Sequence, residues 1–132
     1  MWKYLIKNTP TPLMDGYIFK MQHSFEKRKE ESSRILEKYP DKIPTILEKS
    51  ESSQIPTIDK QKFVIAKDVH MGQFLIIIRK KIDLDPSQAL FLLVDNKYIP
   101  ISSETCGSIY QKYADKDGFL YITYSAEQTF GF

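Results

Sequence analysis

Apolar and polar positions recur with two different periods along this chain, and the switches between them divide it into elements. Phe25, Arg28, Ser32, Ile35 and Tyr39 fall at helical spacing behind Ser24, whose hydroxyl suits an N-cap. The pattern predicts a helix from Phe25 to about Lys38, stopped by Pro40. Only the two ends of its stripe are apolar, so it should lie on a core rather than inside one. Tyr17 to Gln22 predicts a shorter helical piece ahead of it. Lys42 to Lys49 reads as a strand, with Pro44 marking a strand start or an irregular edge. After a polar loop from Ser50 to Gln61, the β-branched and aromatic run Phe63-Val64-Ile65 predicts a second strand.

Met71 to Ile82 carries the strongest helical pattern. Leu75, Ile78 and Ile82 form one stripe, and Phe74, Ile77 and Lys81 an adjacent one. Two stripes exceed what one sheet face needs, so the second is expected to help line a groove. Asp85-Pro86 breaks the chain; Leu90 to Val94 predicts a fully apolar strand, and Asp95-Asn96-Lys97 a turn. Ser103 to about Tyr113 predicts a helix capped by Ser102 or Ser103. Asp115-Lys116-Asp117-Gly118 predicts a turn, and Phe119 to Tyr124 alternates as a last strand. Two strands, a crossover helix and two further strands predict an α+β fold, a mixed β-grasp (ubiquitin-like) sheet around that helix, with an additional N-terminal helical segment.

Composition narrows the function classes. The 132 residues suit one domain, and 42% hydrophobic with 27% charged residues is ordinary for a globular protein. Nineteen basic residues against seventeen acidic ones, with no basic block, argue against nucleic acid as a partner. The single cysteine, Cys106, excludes an internal disulfide and suits a reducing compartment. No apolar run reaches membrane-spanning length and Met1 to Leu13 lacks the form of a signal peptide, so the expected location is the cytoplasm. Cys106 with His23 or His70 carries no local signature of a thiol nucleophile and base, and a structural cysteine is expected. Asp83-Leu84-Asp85 and Asp115 to Gly118 lack the remaining ligands of a calcium loop. No metal, no cofactor and no enzymatic activity are expected.

The chain ends Thr129-Phe130-Gly131-Phe132, with a glycine one residue from the end of a polar tail. A residue without a Cβ can thread a narrow channel and present its carbonyl to a bulky reagent. Several ordered motifs give that ending a context. Tyr17-Ile18-Phe19-Lys20, Phe25-Glu26-Lys27-Arg28, Tyr39-Pro40-Asp41-Lys42-Ile43-Pro44, Ile58-Asp59-Lys60, Gly72-Gln73-Phe74, Ile78-Arg79-Lys80-Lys81-Ile82, Ile109-Tyr110-Gln111 and Asp115 to Tyr121 together resemble the autophagy ubiquitin-like modifiers, in the GABARAP and GATE-like branch. The resemblance runs from about Met14 to Phe132 and implies an N-terminal extension at 1–13, a helical segment at 14–39, a ubiquitin-like domain at 40–125 and a processed tail at 126–132.

What the resemblance implies about function is a substrate and tag rather than a catalyst. A processing cysteine protease would cut after Gly131 and remove Phe132, and E1-like, E2-like and E3-like enzymes would carry the Gly131 carboxylate to the amine of phosphatidylethanolamine. The lipidated form would sit on the autophagosome membrane, since two acyl chains anchor stably where one is marginal. The resemblance also implies docking of receptors and adaptors bearing aromatic-x-x-aliphatic peptides, added as a strand along Lys62 to Ala66. It places an aromatic pocket at Glu31, Ile35, Pro44, Ile46, Lys62, Val64 and Phe119. It places an aliphatic pocket at Phe63, Ile65, Val69, Phe74, Ile77 and Lys81, with Phe63, Phe74 and Ile77 as part-exposed walls, and acidic-flank contacts at Lys60 and Lys62.

This chain departs from the family pattern where Lys81 replaces an arginine, Ala66 a proline, and His70 a small hydroxyl residue at the cap of the central helix, a loss worth about 1 kcal/mol. The turn from Asn96 to Ile99 is one residue longer. Met1 to Leu13 has no counterpart and is expected to be a flexible tether; the alternative is that Trp2, Tyr4, Leu5 and Ile6 touch a membrane or fold over a pocket. The competing functional reading is a non-conjugated β-grasp adaptor that binds peptides or serves vesicle trafficking.

Overall fold

A computed structural model of the protein describes residues 17–126. The expectations for residues 1–13, Gly131 and Phe132 lie outside the described residues. The elements run α1 (Ile18–Gln22), α2 (Phe25–Lys38), β1 (Lys42–Lys49), β2 (Lys62–Ala66), α3 (Met71–Lys81), β3 (Phe91–Val94), α4 (Cys106–Tyr113) and β4 (Leu120–Ser125). The sheet order is β2-β1-β4-β3. The central β1–β4 pair is parallel, and the two outer pairs are antiparallel. This is the expected α+β β-grasp arrangement.

Pro44 does not mark a strand start or an edge, because it lies inside the central strand β1. Lys67 N–H donates to the Asp41 carbonyl (3.1 Å) and Leu47 N–H to that of Gln61 (2.8 Å). Ladder alternation therefore turns the backbone groups of Ile43 and Thr45 toward β2 and the nitrogen of Pro44 toward β4. Pairing with β4 begins only at Thr45 opposite Leu120, so the missing donor interrupts neither ladder.

The concave face of the sheet holds the main core, with Ile43, Leu47, Ile65, Leu120 and Ile122 packed against α3. The buried stripe of α3 is Met71, Phe74, Ile78 and Ile82; Leu75 is only half-buried, and Phe74 joins the core side rather than the second stripe. The N-cap is His70, as expected, and Gln73 Oε1 accepts its backbone N–H (2.8 Å), supplying the reciprocal half of a capping box. Tyr124, buried under the long 50–61 loop, accepts Ile58 N–H (2.7 Å) and donates to the Pro56 carbonyl (3.0 Å). The cap of α4 is Thr105, whose Oγ1 accepts Ser108 N–H (3.2 Å), so the helix starts later than the Ser102 or Ser103 cap predicts. Asp95 and Asn96 adopt positive φ (52° and 55°) in the turn after β3, a conformation that short polar side chains tolerate.

On the convex face α1 and α2 cover a second cluster: Tyr17, Phe19, Ile46, Phe119 and Tyr121, with Ile35 against it. In α2 the middle of the stripe carries the packing; Phe25 and Tyr39 at its ends stay exposed. Ser32 is buried there because its hydroxyl donates to the Asp117 carbonyl (2.5 Å). Gly118 follows at φ 93°, and a Cβ there would stand 2.3 Å from Ser32 Oγ, so both the backbone and the close approach require glycine.

Candidate functional site

Among the described residues β2 is an edge strand that pairs only with β1, which leaves one side of its backbone without a strand partner there. The ladder alternation that directs Phe63 and Ile65 toward β1 turns the backbone groups of Lys62 and Val64 outward. Ala66 presents its N–H the same way, while its carbonyl already accepts Val69 N–H (3.2 Å). Five residues of unprotected edge are a template for one added strand.

Side chains alternate across this edge and define a recess on each face of the sheet. On the α2 face, register sets Pro44 opposite Val64 and Ile46 opposite Lys62. Ile46 and Phe119 are buried as the floor, and Val64 is 43% exposed at the rim. Phe19 completes that floor, its ring edge-on to Phe119 at 5.3 Å. Sequence reasoning missed Phe19 because α1 precedes the pocket by many residues; its signal was the single aromatic residue of a short helix, IFKMQ. Lys62 Nζ lies over the Phe19 ring at 5.3 Å and is ion-paired with Glu31 Oε2 at 2.8 Å, spanning the mouth from β2 to α2. Both partners are substantially exposed, and such a pair contributes at most about 1 kcal/mol. An entering aromatic ring can displace it at small cost and stack where the ammonium sat.

On the α3 face, Phe63 and Ile65 point from β2 toward the central helix. Phe74 is 1% exposed and meets Phe63 edge-on at 5.7 Å. It is thus floor, not the part-exposed wall expected of it, because its place beside Ile78 turns it into the core. Phe63 is half-buried and Ile77 is 41% exposed, as expected of walls; Val69 packs against the core beside them, and Lys81 is exposed. Lys60, outside β2, places its Nζ 5.9 Å from the centroid of Phe63, at the same end of the strand as Lys62. The structure therefore sets these residues on the two faces of the sheet that flank β2.

The recess on the α2 face depends on how α1 and α2 are held. Arg28 Nη1 pairs with the buried Asp117 carboxylate at 2.6 Å, and Phe119 N–H donates to its other oxygen (2.8 Å). Tyr121 OH also donates to Asp117, and burial followed by that carboxylate pushes the phenol well above its ordinary range. Lys20 Nζ pairs with Asp115 Oδ1 at 2.6 Å. Burial works against the Asp115 anion, yet the Lys20 ammonium and Asp117 N–H hold its carboxyl below the usual carboxylate range. Glu48 accepts the N–H groups of Ile18 (2.8 Å) and Phe19 (2.9 Å), and burial raises its pKa despite those donors.

Cys106 is fully buried, with its Sγ 3.7 Å from Met71 Sδ, and burial pushes its thiol up to about 11. A thiol so placed is no nucleophile at neutral pH. Among the described residues no three His, Cys, Asp or Glu side chains group as metal ligands, and no helix is long and apolar enough to cross a membrane.

The family described as "Autophagy protein Atg8 ubiquitin like" matches residues 27–131. The chain belongs to the Atg8 family. It is 53% identical over 116 residues to Autophagy-related protein 8e of Arabidopsis thaliana, covering 88% of this chain and 94% of that one. It is 50% identical over 113 residues to Autophagy-related protein 8 of Mycosarcoma maydis, covering 86% and 95%. The crystal structure of Trypanosoma brucei ATG8 superposes with a TM-score of 0.78 at 39% identity, covering 83% of this chain and 94% of that one. The Atg8 fold thus accounts for the mixed sheet and for the helices ahead of it, and autophagy and ubiquitin-like character follow from the family.

Proposed function

We propose that this Atg8-family protein is a conjugated tag that recruits partners through the β2 edge. Its Gly131 carboxylate, exposed by removal of Phe132, is joined through the E1-, E2- and E3-like enzymes to phosphatidylethanolamine, and the lipidated protein acts on the autophagosome membrane while the free form stays in the cytoplasm. Receptors and adaptors add an aromatic-x-x-aliphatic peptide to β2, seating the aromatic side chain between Glu31, Lys62 and Phe19 and the aliphatic one between Phe63, Ile77 and Lys81. The observation that carries the docking half is the unpaired edge of β2 flanked by one apolar recess on each face. The two anchors of an aromatic-x-x-aliphatic peptide are three residues apart, so they lie on opposite faces of a strand and reach two such recesses, while the backbone supplies register. The conjugation half is supported by the family match, which extends to residue 131.

Two measurements test the two halves separately. Incubation with the processing protease should remove one phenylalanine by intact mass; any other product overturns Gly131 as the acyl site. Titration with an aromatic-x-x-aliphatic peptide should shift amide resonances of β2 and its flanking recesses. Shifts centred elsewhere overturn the groove.

A further inference from the structure

At the C-terminal end of β4 the chain leaves the sheet, and a side chain rather than the backbone sets the place. Lys49 of β1 stands opposite Tyr124 of β4 in the parallel pair, and one step on Ser50 N–H donates to the Tyr124 carbonyl (2.8 Å). An uninterrupted parallel ladder would next hand Ala126 N–H to the Ser50 carbonyl. That carbonyl is already engaged, because the chain turns at Ser50: it accepts Ser53 N–H (3.1 Å) and Lys49 Nζ (3.1 Å). Ala126 N–H donates instead to Ser53 Oγ (3.1 Å). Ser53 is buried, and its own carbonyl accepts the Lys49 ammonium (2.7 Å). Beyond it the loop is anchored by Ile55 and Ile58 in the main core and by the Tyr124 hydroxyl at Pro56 and Ile58. A hydroxyl on a turn fixed from both sides therefore takes the place of the last ladder acceptor. It holds Ala126, which packs against the core at the end of the described residues.

We propose that Ser53 is a positioning residue for the reactions of the tail: its hydroxyl, by holding Ala126 N–H, fixes the point from which Gly131 is presented to the processing and conjugating enzymes. This role rests on the chemistry at Gly131 proposed above. Five peptide units join Ala126 to Gly131, so a fully extended chain carries the Gly131 carbonyl roughly 17 Å from the tether at most. An enzyme that grips the folded domain then meets the reacting carbonyl within a short radius of a fixed origin. Without the tether the end of β4 frays and that origin moves. A smaller share of the bound molecules then holds the carbonyl in line for attack. Misplacement of this kind lowers turnover, while the grip on the folded domain, and with it KM, is kept.

Steady-state cleavage of the full-length protein by the processing protease, followed by intact mass, tests this. Ser53→Ala should lower kcat about fivefold, the worth of one ordinary hydrogen bond, with KM little changed. Hydrogen exchange of the Ala126 amide should quicken by a similar factor, while that of Ile122, inside β4, stays as it was. Ala126→Pro deletes the donor in place of the acceptor and should reproduce the fall in kcat; the two changes together should lower it no further. Ala126→Pro carries the test should Ser53→Ala fail to fold. The affinity of an aromatic-x-x-aliphatic peptide for β2 should be the same in every variant. Where the wild type is cut, an unchanged kcat in Ser53→Ala overturns the proposal, and a raised one overturns it by making the tether a brake. Additive losses in the double variant overturn it too, as does a matching loss of peptide affinity, which would make Ser53 a residue of general stability only. A wild-type chain that is not cut after Gly131 overturns the processing reading itself, and this role with it.

Discussion

Asp117 ties three parts of the molecule together through one buried carboxylate: Arg28 from α2, the Tyr121 hydroxyl from β4 and the backbone of Phe119. Truncating it leaves a guanidinium, a phenol and an N–H without their acceptor in a dry site. Asp117→Ala should therefore cost about 3–5 kcal/mol, read as a lowered urea midpoint; a loss below about 1 kcal/mol would show that water replaces the carboxylate. Its neighbour Asp115 behaves differently because it is partly solvated. Its carboxyl titrates lower in the folded chain than in the unfolded one, so its contribution is present above the unfolded value near pH 4 and is lost as pH falls through the folded value. The stability gap between the wild type and Asp115→Asn should be open at pH 7, at no more than about 1 kcal/mol, and should close on acidification. A gap that stays constant to pH 2 would remove Lys20–Asp115 as its source.

At the scale of elements, the β2 edge separates folding from docking, because Val64 turns its N–H away from β1. Val64→Pro removes an outward donor and leaves the β1–β2 ladder intact, a placement that edge strands tolerate. Peptide affinity should fall about tenfold by calorimetry, while the thermal midpoint moves far less than for Phe63→Pro, which strikes the ladder itself. Equal destabilisation by both would show that the ladder phase is wrong. Much of this element was legible in sequence: a β-branched and aromatic run bounded by polar loops gives a strand, and its family context gives the recesses. The errors arose where spacing alone had to fix direction. Phe74 is compatible with either stripe of α3, and only the approach of Phe63 and the core decides for the buried side. Ser102 and Ser103 are the expected caps of α4, but Thr105, a hydroxyl residue beyond them, caps it because its Oγ1 accepts Ser108 N–H. Pro44 looked like an edge signal because sequence does not say which neighbour a strand's nitrogen faces. The place of Phe19 in the pocket floor was missed because the contact it makes spans a hundred residues, from Phe19 to Phe119.

Across the whole molecule, the sheet order keeps the two proposed activities apart. The docking edge is β2, and the chain leaves for its tail from β4, with β1 between them. β1 and β4 are fully paired and their side chains are largely buried, so a change at either end has no soft element through which to reach the other. The helices α1 and α2 shape the α2-face recess, but their anchors, Asp115, Asp117 and Glu48, all lie inside the described domain. Docking should therefore need no lipid, and conjugation no peptide. Gly131→Ala places a Cβ where the conjugating enzymes must reach the carbonyl, and should abolish the mass increment of one phosphatidylethanolamine in a reconstituted conjugation reaction. The same variant should bind the peptide with unchanged affinity. Val64→Pro should give the converse result, full lipidation with weakened docking. If Gly131→Ala weakened the peptide as well, or Val64→Pro blocked lipidation in proportion to its loss of affinity, the tail and the groove would be one coupled surface, and the rigid β1–β4 centre would not insulate them.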